Sequence, residues 1–221
     1  MSIFTAADVA NRVAAVRERV NAVERTWTHA VEIMAVTKGF SDAAVTAAAA
    51  AGCRSIGENY AQDLLSKEAA IAATGVDVHF VGRLQSNKVR QLAHLVTVWA
   101  TIDRASLIDE VAKRVPGGKI LLQVNATGEE QKGGCRPVDV PMLLERAREM
   151  GLDVRGLMTV GPNGGSSKAV RPAFQTVREL VDDHGLAVCS MGMSGDLDIA
   201  IECGSTEVRI GSAVFGQRPA R

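Results

Sequence analysis

Apolar positions near the start of the chain recur at helical spacing, and further along the rhythm changes. In TAADVANRVAAVRERVNAVERTW, Val9, Val13, Val16, Val20 and Val23 fall at three- and four-residue steps, which lays them along one side of a helix. Thr5 with Asp8 three residues on predicts a capping box at its start. From Glu32 onward, short β-branched apolar runs alternate with longer helical patterns. The runs EIMAV, RSIGE, VHFVG, VTVWATI, KILLQVN, VRGLMTV, AVCSMG and EVRIGSAVF predict strands. Between them, SDAAVTAAAAAG, NYAQDLLSKEAAIAA, SNKVRQLAH, DRASLIDEVAKRV, PVDVPMLLERAREM, SKAVRPAFQTVRELVDD and SGDLDIAIECG predict helices of unequal length.

This alternation predicts an α/β fold: a single (β/α)8 TIM-like barrel forming one domain over residues 1–221. An open doubly wound sheet shows the same alternation and differs in strand order, which periodicity does not display. Almost no chain follows the last strand. The extra N-terminal helix is therefore expected to cover the gap a final helix would fill, and no C-terminal β domain is expected.

Composition narrows the partner. Apolar residues make up 47% of the 221, and 25 basic side chains balance 25 acidic ones, which argues against a nucleic-acid or membrane surface and for a small molecule. Cys53, Cys135, Cys189 and Cys203 show no C-x-x-C spacing and the four histidines no H-x-x-x-H pair, so neither a disulfide framework nor a metal site is predicted. No segment approaches the roughly 18 apolar residues of a membrane span, and no basic leader precedes an apolar run. A cytoplasmic setting is expected.

In a barrel, chemistry gathers where strands end. The strand runs exit into Lys38, then Glu58 and Asn59, then Gln85, Ser86 and Asn87, then Asp103, Asn125, Thr159 and Ser194, and finally Gly211 and Ser212. Loop starts are polar in any protein, which accounts for most of these. The last two exits, MGMSGD and IGSAVFG, put glycine and serine where barrels commonly bind phosphate. In EVRIGSAVF, Arg209 shares a side with Gly211, opposite Val208 and Ile210; it either points inward to a buried partner or faces the helix layer. A lysine just past a strand is ordinarily solvated. Facing a phosphate site with apolar walls, Lys38 could instead form an imine with a carbonyl compound.

Other motifs fail. GPNGGSSKAV, Gly161 to Val170, has P-loop composition without the G-K-[ST] order and reads as a flexible loop. Ser190 lacks the G-x-S-x-G frame of an esterase. His79 reads as a satisfied core histidine, Tyr60 as packing at a helix start, Lys88 as a surface or hydrogen-bonding residue at a helix start, and Lys119 as opening a strand at the opposite face.

The blocks AVTKGF, IGENYAQDLLSK, HFVGRLQSNK, TIDR, RGLMTV, MGMSGD and GSTEVRIGSAVFG, in that order from about Val31 to Gly216, resemble the pyridoxal-phosphate homeostasis proteins, a group similar to the N-terminal barrel of alanine racemase. The resemblance implies a fold-type III barrel holding pyridoxal 5'-phosphate (PLP) as an imine to Lys38. It further implies that Ser194, Gly211 and Ser212 hold the phosphate, that Arg209 turns inward to the pyridine nitrogen, and that Asn59 lines the pocket. Arg83, Gly195 and Ser212 depart from the family's usual residues; serine keeps the hydroxyl of the usual threonine.

An arginine at the pyridine nitrogen stays charged and does not readily give up a proton, so the ring is a poorer electron sink. An unroofed barrel mouth suits holding and releasing a cofactor better than excluding water. The first reading is a non-enzymatic PLP carrier, a monomer, that buffers the cofactor and delivers it to apo-enzymes. The second is an amino-acid racemase using Lys38 and Tyr60. The third, a Schiff-base aldolase without PLP, leaves Arg209 unexplained.

Overall fold

The computed structural model describes residues 4–129, 131–162 and 167–218. Eight parallel strands close on themselves in chain order: β1 (Glu32–Val36), β2 (Ser55–Glu58), β3 (Asp77–Phe80), β4 (Val98–Ile102), β5 (Lys119–Gln123), β6 (Asp153–Met158), β7 (Val188–Ser190) and β8 (Glu207–Ile210). The closure is the pairing of β1 with β8, Met34 opposite Arg209, and it decides for the barrel against the open sheet. Strand alternation divides the apolar residues into two cores. Val98, Ala100, Leu121 and Met158 pack together inside the barrel. Ile33, Ala35, Ile56, Val78, Ile102, Leu122 and Val208 belong to the larger layer between the strands and the surrounding helices.

The N-terminal helix α1 (Ala6–Ala22) starts on the expected Thr5–Asp8 capping box and buries Val9, Val13, Val16 and Val20; Val23 has left the helix and is its extended cap. It packs on α2 (Ala43–Ala50) at one side and on α9 (Leu197–Glu202) and α10 (Ser212–Phe215) at the other, completing the helical ring as the pattern predicts. Arg19 fixes that position with a forked contact to both oxygens of Asp198, at 2.8 and 3.0 Å.

Two expected elements break. NYAQDLLSKEAAIAA, read as one helix, is α3 (Ala61–Leu65) and α4 (Glu68–Thr74) separated at Ser66 and Lys67, because the Lys67 side chain turns into the core. EVRIGSAVF, read as one strand, stops at Ile210; Gly211 turns the chain, and its carbonyl accepts the N–H groups of Val214 and Phe215 to open α10. The remaining helices are α5 (Ser86–Leu92), α6 (Ala105–Arg114), α7 (Val140–Glu149) and α8 (Ser167–Asp183). Lys168 lies in the predicted helix SKAVRPAFQTVRELVDD, so the loop read over Gly161 to Val170 gives way to helix from Ser167, and residues 163–166 of the rejected phosphate-loop motif lie outside the described residues. All four cysteines are free and buried. Among the described residues, no helix is long and apolar enough to cross a membrane.

Candidate functional site

Lys38 stands in a turn whose geometry the sequence explains. Thr37 continues the β1 ladder, its N–H donating to the Gly57 carbonyl at 3.0 Å, and the chain then reverses as the Phe40 N–H donates to the Thr37 carbonyl at 3.1 Å. Gly39, third of the four turn residues, has φ 75°, the left-handed region a glycine occupies at no steric cost. Phe40 anchors the far side, its ring 5.2 Å from that of Phe215 in α10. The lysine is left half-buried at the barrel mouth.

It opens into a cavity of about 870 Å³. Lys38, Asn59, Ser194, Arg209, Gly211 and Ser212, the six residues singled out above, all line this one cavity, with Phe40, Met158, Met193 and Val160 among its apolar walls. Arg209 points inward, as β8 alternation allows, and lies buried at 5% exposure. Its guanidinium donates to the Ser190 carbonyl at 2.7 Å, to Ser190 Oγ at 2.9 Å and to the Thr159 carbonyl at 2.6 Å. On the rim, Ser212 Oγ lies 3.4 Å from Ser194 Oγ, so the exits of β7 and β8 bring two hydroxyls together beside Gly211. Asn59 Oδ1 is buried and accepts no hydrogen bond among the described residues.

The electrostatics shift the amine toward its neutral form. Burial lowers the Lys38 pKa below the ordinary lysine value, Arg218 and Arg209 lower it further, and Glu58 alone opposes them. Arg218, which also lines the cavity, went unread in the sequence, and a lone arginine near a terminus carries no periodic signal that would expose it.

Several strand exits do other work. Asn125 ties down its own loop through the Glu129 carbonyl at 2.9 Å, and Asp103 pairs with its neighbour Arg104. Tyr60, Arg83, Gln85 and Lys88 line a separate cleft beside the cavity, and Asn59 borders both. His79 lies in the lower barrel with Nδ1 3.4 Å from Glu207 Oε2. Lys119 opens β5 with its side chain exposed, as expected.

The chain is matched by known proteins along nearly its whole length. Residues 12–219 match the family described as alanine racemase, N-terminal domain. A pyridoxal phosphate homeostasis protein from Pseudomonas aeruginosa is 40% identical over 220 residues, covering 96% of this chain and 95% of that one. The chain belongs to the pyridoxal phosphate homeostasis protein family. Among solved structures, PipY from Synechococcus elongatus with PLP bound superposes with a TM-score of 0.78 at 28% identity, over 94% of this chain and 100% of that one. Alanine racemase from Bacillus anthracis shares the fold, with a TM-score of 0.73 at 17% identity; the match covers 97% of this chain but 57% of the racemase. The homeostasis-protein barrel thus corresponds to one part of a longer enzyme.

Proposed function

We propose that this chain holds PLP as an imine to Lys38, buffers it, and delivers it to apo-enzymes. PLP supplies an aldehyde that condenses with a primary amine and releases water. The residues present fit such a group. Lys38 offers an amine whose lowered pKa leaves more of it neutral at a given pH than in an ordinary lysine. Ser194 and Ser212 offer paired hydroxyls to a phosphate, and Gly211 leaves the backbone open beside them. Arg209, which lines the cavity from within the barrel, would face the pyridine nitrogen, and Asn59, whose buried side-chain oxygen has no hydrogen-bond partner among the described residues, would line the pocket beside it. The solution of PipY with PLP bound supports the same reading.

One observation carries the choice of carrier over enzyme. Among the described residues, the side chains lining the cavity include no carboxylate, histidine, tyrosine or cysteine, so Lys38 has no second acid or base opposite it. Tyr60, the partner a racemase would need, belongs to the neighbouring cleft. The same reading takes the protein as a monomer, and four buried free thiols suit a reducing, cytoplasmic setting.

The test is transfer. Protein loaded with PLP is mixed with an apo-form PLP enzyme, and recovery of that enzyme's activity is timed against release of PLP into buffer alone. Recovery faster than release supports delivery. Recovery no faster than release would remove delivery and leave buffering alone, and amino-acid turnover well above a Lys38→Ala control would replace the carrier with the enzyme reading.

A further inference from the structure

The turn carrying Lys38 is held from behind by a buried charge network whose members do not line the cavity. Lys67 and Glu58 form an ion pair with side chains 1% and 0% exposed. Lysine is almost never buried to that degree unless paired, and a buried pair generally stabilises a fold no better than apolar residues of equal volume. The contacts show what the pair does instead. Lys67 Nζ donates to Glu58 Oε1 and, at 2.8 Å, to the Thr37 carbonyl, the same carbonyl that closes the turn. Thr37 Oγ1 donates to Glu58 Oε1 at 2.5 Å. On the other side of Lys38, the Gly39 N–H donates to Asp63 Oδ2 at 3.1 Å. The residues immediately before and after Lys38 are therefore both tied to one segment, Glu58 to Lys67. The break between α3 and α4 falls where Lys67 must turn inward to reach them.

We infer that Lys67, paired with Glu58, is a positioning residue: it clamps the Thr37 carbonyl and so fixes the direction in which the Lys38 amine enters the cavity. The inference rests on the reading of Lys38 as the amine that carries PLP. The groups acting on that amine are Arg218, Arg209 and Glu58, and those acting on Glu58 are Lys67, Thr37 and Asp63, so the clamp also neutralises the one carboxylate that would favour the ammonium form of Lys38.

The test uses the full chain with Lys67→Met/Glu58→Leu, which replaces the pair by apolar side chains, and Glu58→Gln, which keeps an oxygen for Thr37 and Lys67. Two readouts are taken: PLP affinity from the imine absorbance, and, without PLP, the pH dependence of Lys38 acylation followed by peptide mass mapping. The double variant is expected to keep its circular dichroism while losing PLP affinity by about tenfold or more, the scale of a misplaced reacting group. Its Lys38 acylation inflection is expected to move upward toward that of an ordinary lysine, because an amine released from the clamped turn loses the burial that lowers its pKa most, which outweighs the downward push of losing Glu58. Glu58→Gln is expected to keep affinity within about threefold. A folded double variant with wild-type affinity and acylation profile would overturn the inference, as would an equal loss in Glu58→Gln. Should the double variant not fold, Lys67→Met is read in the same two assays with the same expectations, since burial already raises the Glu58 pKa and lets it take up a proton. If wild-type protein fails to bind PLP while the acylation profile still shifts in the variants, the cofactor reading falls and the clamp stands.

Discussion

Arg209 is held by Ser190 through two hydrogen bonds from one nitrogen, Nη1, to the carbonyl at 2.7 Å and to the hydroxyl at 2.9 Å. With the Thr159 carbonyl on Nη2, every one of these partners is neutral, and among the described residues no carboxylate lies within 4.0 Å of the guanidinium. A buried positive charge lining the cavity acts on whatever else lines it, and Lys38 does. Replacing it as Arg209→Met is expected to raise the Lys38 pKa, because one of the two cations that depress it is gone. The inflection of Lys38 acylation against pH should therefore move upward. Stability should fall by about 1–3 kcal/mol in denaturant titration, reflecting carbonyls left without donors.

On the proposed function, the two rim hydroxyls, Ser194 and Ser212, would hold the phosphate of PLP and leave its aldehyde to Lys38. Ser194→Ala with Ser212→Ala is expected to weaken PLP binding by about tenfold or more, the equivalent of about 1.4 kcal/mol. Affinity for pyridoxal, which lacks the phosphate, should stay unchanged. Equal losses for both compounds would show that the hydroxyls support the fold of the rim instead.

Gly82 follows β3 and lies hard against the β2 exit: a Cβ there would stand 2.0 Å from the Asn59 carbonyl oxygen. Gly82→Ala must push the Asn59 backbone aside. The expected cost is about 1–3 kcal/mol of stability, as for overpacking elsewhere, together with weaker PLP binding as Asn59 leaves the cavity wall. Denaturant midpoints and imine absorbance measure the two effects separately.

Burial pushes the thiols of Cys135 and Cys189 up to about 12. A raised pKa leaves less thiolate at any given pH, and thiolate is the reacting form. Ellman's reagent at pH 8 is expected to leave both unmodified in the folded protein and to titrate all four cysteines once guanidinium unfolds it.

Much of this architecture was legible in the sequence because the barrel repeats its signal. Each strand is apolar through its middle and each exit is polar, so Lys38, Asn59, Ser194 and Ser212 could be aligned at one rim before any contact was visible. The α1 stripe was legible for the same reason, since its buried valines follow the helical period. What periodicity could not convey was the fate of single polar residues inside an element. Lys67 sits in an alanine-rich run that favours helix throughout, and only the pull of Glu58 and the Thr37 carbonyl breaks it. Val214 and Phe215 are good strand residues, and it is the turn at Gly211, set by closure against β1, that makes them helical. The inward turn of Arg209 stood undecided by alternation alone, because both faces of a barrel strand are buried.

The amine of Lys38 is the centre of the account, and it can be read directly. Protein incubated with PLP is reduced with borohydride, which fixes any imine as a stable pyridoxyl amine, then digested and mapped by mass spectrometry. The account predicts one modified peptide, bearing the pyridoxyl group on Lys38, with labelling that declines as pH falls through the lowered lysine pKa and protonates the amine. A pyridoxyl group on a different lysine, or none on a protein that still binds PLP, would contradict it.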